Sequence, residues 1–161
     1  MNPGIDFFYL PSYASNWLNP YGKHAIRVCP ECSFPMIPAL AWALKEAAWK
    51  SLPDPEQPSR FHPSQFNLLE CKDQQAKVEF QANKRVLELK YIETNRGFLA
   101  YSLPESYRLY LSIPEEYAKA QNGRPMLLSG SEWVPISISH DGPFGYAGLP
   151  DLGGGLEYVG A

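Results

Sequence analysis

The chain has little cysteine: Cys29, Cys32 and Cys71 in 161 residues. An odd count without regular spacing excludes a disulfide scaffold as the source of stability. No uninterrupted apolar run approaches the ~18–20 residues of a membrane span. The opening Met1-Asn2-Pro3-Gly4-Ile5-Asp6 lacks the basic start and apolar core of a secretory signal, so a cytoplasmic location is expected. Cations are missing from one end. Residues 125–161 contain Glu132, Asp141, Asp151 and Glu157 but no Lys or Arg, within a net charge of −3. Binding to a phosphate backbone needs clustered cations, so nucleic acid is disfavoured and a protein partner with a basic surface fits better. Catalytic signatures are also scarce. There is no Gly-x-Ser-x-Gly elbow, and Gly153-Gly154-Gly155 neither follows a strand nor opens a helix, so it fails as a phosphate cradle.

Proline and aromatic residues are plentiful instead. Sixteen prolines point to many short elements. Aromatics make up 14% of the chain, enough for a stacked core or an adhesive surface. At this length a single domain spanning 1–161 can bury a core without staples.

The clearest element is a helix over about 38–51. Pro38 suits a first turn, Ala and Leu dominate, and Pro53 stops it. Ile37, Leu40, Ala41, Leu44 and Ala48 form one apolar stripe, while Trp42 and Trp49 share a second side, so this helix needs two partners. Residues 53–65 hold four prolines and read as an extended connector.

Strands are expected at Ile5–Leu10, His24–Val28, Phe66–Cys71, Lys77–Gln81, Arg85–Ile92, Phe98–Leu103, Tyr107–Ile113, Pro125–Ser129 and Trp133–Ser139. In the last of these, Val134, Ile136 and Ile138 share a face. Ala82-Asn83-Lys84 reads as a hairpin loop with Asn83 suited to left-handed dihedrals. Ser112-Ile113-Pro114-Glu115 reads as a capping box opening a short second helix over about 114–121, closed by Asn122-Gly123. Residues 142–161 are glycine-rich and are expected to be a flexible tail. The fold class is α+β: an antiparallel, meander-like sheet of about six to eight short strands packed by one main helix.

Three functional readings follow. Tyr13, Trp17 and Tyr21 in a turn-rich loop, with Trp42 and Trp49 on the second helix side, have the composition of an interface core. They point to a small non-enzymatic protein-binding module, of the immunity, inhibitor or mobile-element antagonist kind. The second reading starts from Cys29-Pro30-Glu31-Cys32, which resembles a zinc knuckle over four residues. Structural zinc wants four thiolate or imidazole ligands, so Cys71 with His62 or His24 would have to complete the site, and the accompanying role would be nucleic-acid-associated. Against it stands the ordinary use of free cysteines as small buried apolar groups, in which case no cofactor is required. A third reading is an enzyme with a cleft near His140 and Asp141, at the end of Ser137-Ile138-Ser139-His140-Asp141, where a strand end and turn account for the same residues.

Overall fold

A computed structural model describes residues 1–9, 38–94, 97–151 and 158. Among these residues there are eleven strands in three antiparallel sheets, one α-helix and one 3-10 turn.

The principal sheet has the order β1-β5-β4-β3-β2, from Gly4–Tyr9 (β1), Phe66–Lys72 (β2), Gln75–Phe80 (β3), Arg85–Glu93 (β4) and Gly97–Ser102 (β5). β2 to β5 form a meander. The β2–β3 connection is the two-residue Asp73-Gln74, both at positive φ (52° and 64°), which gives the twist a right-handed hairpin needs. In the β3–β4 loop the left-handed residue is Lys84 (φ 60°) rather than Asn83, whose side-chain oxygen instead accepts from the Arg85 N–H at 3.1 Å. A bulge at Leu69 breaks the alternation of β2, so Leu68 and Cys71 both face inward while Leu69 and Glu70 both face solvent.

The helix α1, Pro38–Ser51, lies across β1 and β5. Its alanines allow a close approach: a Cβ placed on Gly4 of β1 would fall on the Ala47 carbonyl oxygen. The main core fills this layer, with Leu40, Leu44 and Leu52 meeting Phe66, Val78, Leu87, Leu89 and Phe98. The second apolar side of α1 is covered by the connector. Trp42 and Trp49 pack on Phe61, at centroid separations of 5.0 and 6.0 Å, and Phe61 continues to Phe66 and Phe80.

The second sheet, of order β10-β11-β6, comprises Tyr107–Tyr110 (β6), Ser137–Asp141 (β10) and Phe144–Pro150 (β11). It covers the other face of the principal sheet at the β1/β5 end, where Ile5, Phe7 and Leu99 pack against Leu109, Phe144 and Tyr146. The third sheet, β7-β8-β9, comprises Ala118–Lys119 (β7), Pro125–Ser129 (β8) and Glu132–Pro135 (β9).

Four expectations are revised. The single meander-like sheet of about six to eight strands is instead eleven strands in three sheets among the described residues, because the meander stops at β5: β1 adds at its edge, and the later strands pair among themselves. No second helix forms over 114–121. This stretch is short and has no apolar stripe to dock, and Asn122-Gly123 closes the β7–β8 hairpin instead. Gly123 N–H donates to Ala120 O (2.9 Å), Ala120 N–H donates to Arg124 O (2.8 Å), and Gly123 takes φ 86°. The strand expected over Trp133–Ser139 is split into β9 and β10, in different sheets, with Ile136 N–H donating to Pro125 O between them. Residues 142–150 are not slack chain: Gly142 (φ 59°) turns β10 into β11, β11 is the centre of its sheet, and its Gly145 and Gly148 let Ile113 and Leu103 sit directly on its backbone. The strand expected at His24–Val28 lies outside the described residues.

Candidate functional site

The third sheet presents an apolar outer face. Residues directly across a ladder share a side of the sheet. The pairs Ala118↔Met126, Met126↔Pro135 and Leu128↔Trp133 therefore place Ala118, Met126, Leu128, Trp133 and Pro135 on one face. Leu127 and Val134 fall on the opposite side, and there Leu127 packs on the core of Tyr110, Ile136, Ala147 and Leu149. On the outer face Leu128 is 52% and Trp133 56% exposed. Alternation along β8 and β9 forces this result: once Leu127 is drawn into the core, its neighbour Leu128 must point out. Glu115, Glu116 and Glu132, all exposed, lie in or beside this sheet. The nearby Arg124 is taken up internally, donating to Asp54 at 2.7 Å and to the Lys50 carbonyl at 3.0 Å.

A second feature is a cleft of about 490 Å³ where the second sheet rises from the uncovered half of the principal sheet. Its floor comes from the outward residues of β2, β3 and β4, including Glu70, Lys77, Glu88, Gln75 and Lys90. Its wall comes from Tyr101 to Leu109. Burial pushes the Tyr101 phenol above its ordinary value, so it remains a hydroxyl donor at neutral pH. The Tyr107 hydroxyl donates to Pro135 O at 2.7 Å.

The third feature is a polar junction between α1, β1 and β10. Ser137 and Ser139 are buried, and their hydroxyls accept from the Ile5 and Phe7 N–H groups at 3.0 and 2.8 Å. They seal the edge of β1 that β5 does not pair. Lys50 reaches the same seam, donating to Ile5 O (2.9 Å) and Ile138 O (3.3 Å), with Asp6 at 3.7 Å. Burial, reinforced by the neighbouring Glu46 carboxylate, raises the Asp6 carboxyl well above the usual range despite that ammonium. Glu46 also accepts from Trp42 Nε1 at 2.8 Å.

The residues singled out from sequence are distributed as follows. Tyr13, Trp17, Tyr21, His24, Cys29 and Cys32 lie outside the described residues. Trp42 and Trp49 are half-buried under the connector, and Trp49 Nε1 donates to Pro58 O at 2.9 Å, so both rings are engaged within the fold. Cys71 is 4% exposed beneath α1. Burial pushes its thiol up, and the Tyr91 side chain is its hydrogen-bond partner. His62 is exposed at the start of the 3-10 turn Pro63–Gln65. Among the described residues no group of three or more His, Cys, Asp and Glu is arranged to hold a metal ion. His140 is exposed and Asp141 half-buried, while the adjacent Ser137 and Ser139 hydroxyls serve β1.

Two residues that the sequence reading passed over now stand out. Trp133 could have been found, because placing Val134 on the inward side puts Trp133 outward. Lys45 could also have been found, since it lies four after Ala41 and three before Ala48 on the apolar stripe. It is fully buried, its pKa is pushed down by burial to about 8, and its ammonium reaches the Pro63 carbonyl at 3.4 Å. No helix among the described residues is long and apolar enough to cross a membrane. Comparison with family models, curated proteins and solved structures finds no match to this chain.

Proposed function

We propose that this protein is a binding module whose contact with a protein partner is anchored on the outer face of the third sheet. The observation carrying this reading is the set of five apolar side chains on that face, with Leu128 and Trp133 side by side and more than half exposed. Contiguous apolar surface rimmed by polar groups is the usual mark of an interaction site, and an exposed tryptophan is a frequent energetic anchor in one. Glu115 and Glu116, exposed just before β7, favour a partner with an apolar patch bordered by Lys and Arg, which they would steer into place. Activity of the immunity-protein or inhibitor kind, which works by occupying a partner, suits such a surface.

The test uses wild-type protein and a Trp133→Ala/Leu128→Ser double variant as baits in the native host, followed by direct binding measurements on any purified partner. The expected result is a partner retained by wild type and lost by the variant, with an association rate that falls as salt rises. Capture that is indifferent to the double substitution overturns the assignment of this face. Self-association of wild type abolished by the same substitutions would make the occupant a second copy and overturn the foreign partner.

A further inference from the structure

The cleft beside the second sheet carries an inference independent of that interface. Its floor is built from two rows running across the strands. In the first row Lys77 pairs with Glu70, at 3.8 Å, and stands directly across from Glu88, so its charge is met on both sides. In the second row, two residues along, Lys90 stands between Gln75 and Tyr101, both neutral, while Lys72, beyond Gln75, is not among the residues lining the cleft. Among the described residues Lys90 makes no ion pair. The cleft's other cation, Arg108, is spent: it binds Asp151 at 2.9 Å and lies over the Tyr158 ring at 4.5 Å. Leu103 and Pro104, both half-buried, supply an apolar wall to the same cleft.

We propose that this cleft binds a small monoanionic carboxylic acid with a flat apolar body. The carboxylate would take hydrogen bonds from the Lys90 ammonium, the Gln75 amide and the Tyr101 hydroxyl, and the body would lie against Leu103 and Pro104. One compensating cation with neutral donors on either side matches a single negative charge. Glu88 and Glu105 line the same cleft and would repel a dianion, which selects carboxylate over phosphate monoester. A volume of about 490 Å³ lies within the range of sites for small ligands.

The test titrates the full chain with 3-phenylpropionate, its neutral amide and phenyl phosphate, following amide chemical shifts and calorimetry. Saturable binding of the acid is expected, with shifts confined to β3, β4, β5 and the adjoining residues 103–105, and at least about tenfold weaker binding of the amide. Lys90→Gln should weaken the acid by about tenfold or more, whereas Lys84→Gln, outside the cleft, and Trp133→Ala should leave it unchanged. Both lysines are exposed, and circular dichroism of each variant checks that the fold is retained. No saturable binding of the acid up to about 10 mM, equal binding of acid and amide, or tighter binding of phenyl phosphate would each overturn the proposal.

Discussion

Replacing Lys45 by Met should stabilise this protein, and the gain should vanish as the pH rises. Lys45 is the largest fully buried side chain among the described residues, and its hydrogen bond to Pro63 O is long at 3.4 Å. Burial lowers its pKa from 10.5 to about 8, a difference worth about 3 kcal/mol. At pH 7 both the folded and unfolded chains carry the proton, so the full cost of the buried charge is present. Between about pH 8 and 10.5 the unfolded chain holds the proton and the folded chain has released it, so stability rises with pH across that window.

Met has nearly the same length and no charge to desolvate. The Lys45→Met variant should therefore exceed wild type by about 3 kcal/mol at pH 7, roughly 6–12 °C in Tm for a chain of this size. The difference should shrink steadily towards pH 10.5. Cys71, Tyr91, Tyr101 and Tyr107, all raised by burial, lower stability at high pH in both proteins, and the comparison cancels them. Urea unfolding at several pH values gives the difference directly. An advantage that stays constant from pH 7 to 10.5, or a variant less stable than wild type at pH 7, would refute the reasoning.

Two further predictions concern how the layers meet. Ser139→Ala should cost about 1–3 kcal/mol, because the Phe7 N–H is buried and loses its acceptor, and Ser137→Ala should act similarly on Ile5; chemical denaturation reads both, and a neutral effect of the pair would show that β1 finds other partners. Gly4→Ala should cost more than about 3 kcal/mol, because the added methyl meets the backbone of α1 rather than a flexible side chain; a loss below about 1 kcal/mol in thermal unfolding would mean the helix can lift off β1 freely.

Much of the principal sheet was legible in the sequence. The alternation of Leu87, Leu89 and Tyr91 in β4 placed those residues on the helix side, and Pro38 and Pro53 bounded α1. The two apolar sides of α1 were legible too, though not that Phe61 of the connector would cover the second. Local patterns failed where one signal serves two structures. Asn122-Gly123 suits a helix end and a hairpin alike, and only the pairing of Ala118 with Met126 decides between them. Glycine in 142–150 looked like slack chain because a strand gains nothing from glycine alone; its value here lies in the side chains of Ile113 and Leu103 that occupy the space.

By itself the sequence determined what depends on near neighbours: the helix and its ends, the alternating strands, and the acidic stretch from residue 125 onward. It also determined that β8 and β9 would each carry apolar residues on both sides. Which of those sides would be left uncovered was a tertiary decision, made when Leu127 packed on Tyr110 and Ile136 and turned Leu128 and Trp133 outward. The same holds for Lys45, Lys90 and the serines of β10. Their roles depend on which group lies across a sheet or under a helix, and that distance is set by packing among residues far apart in the chain.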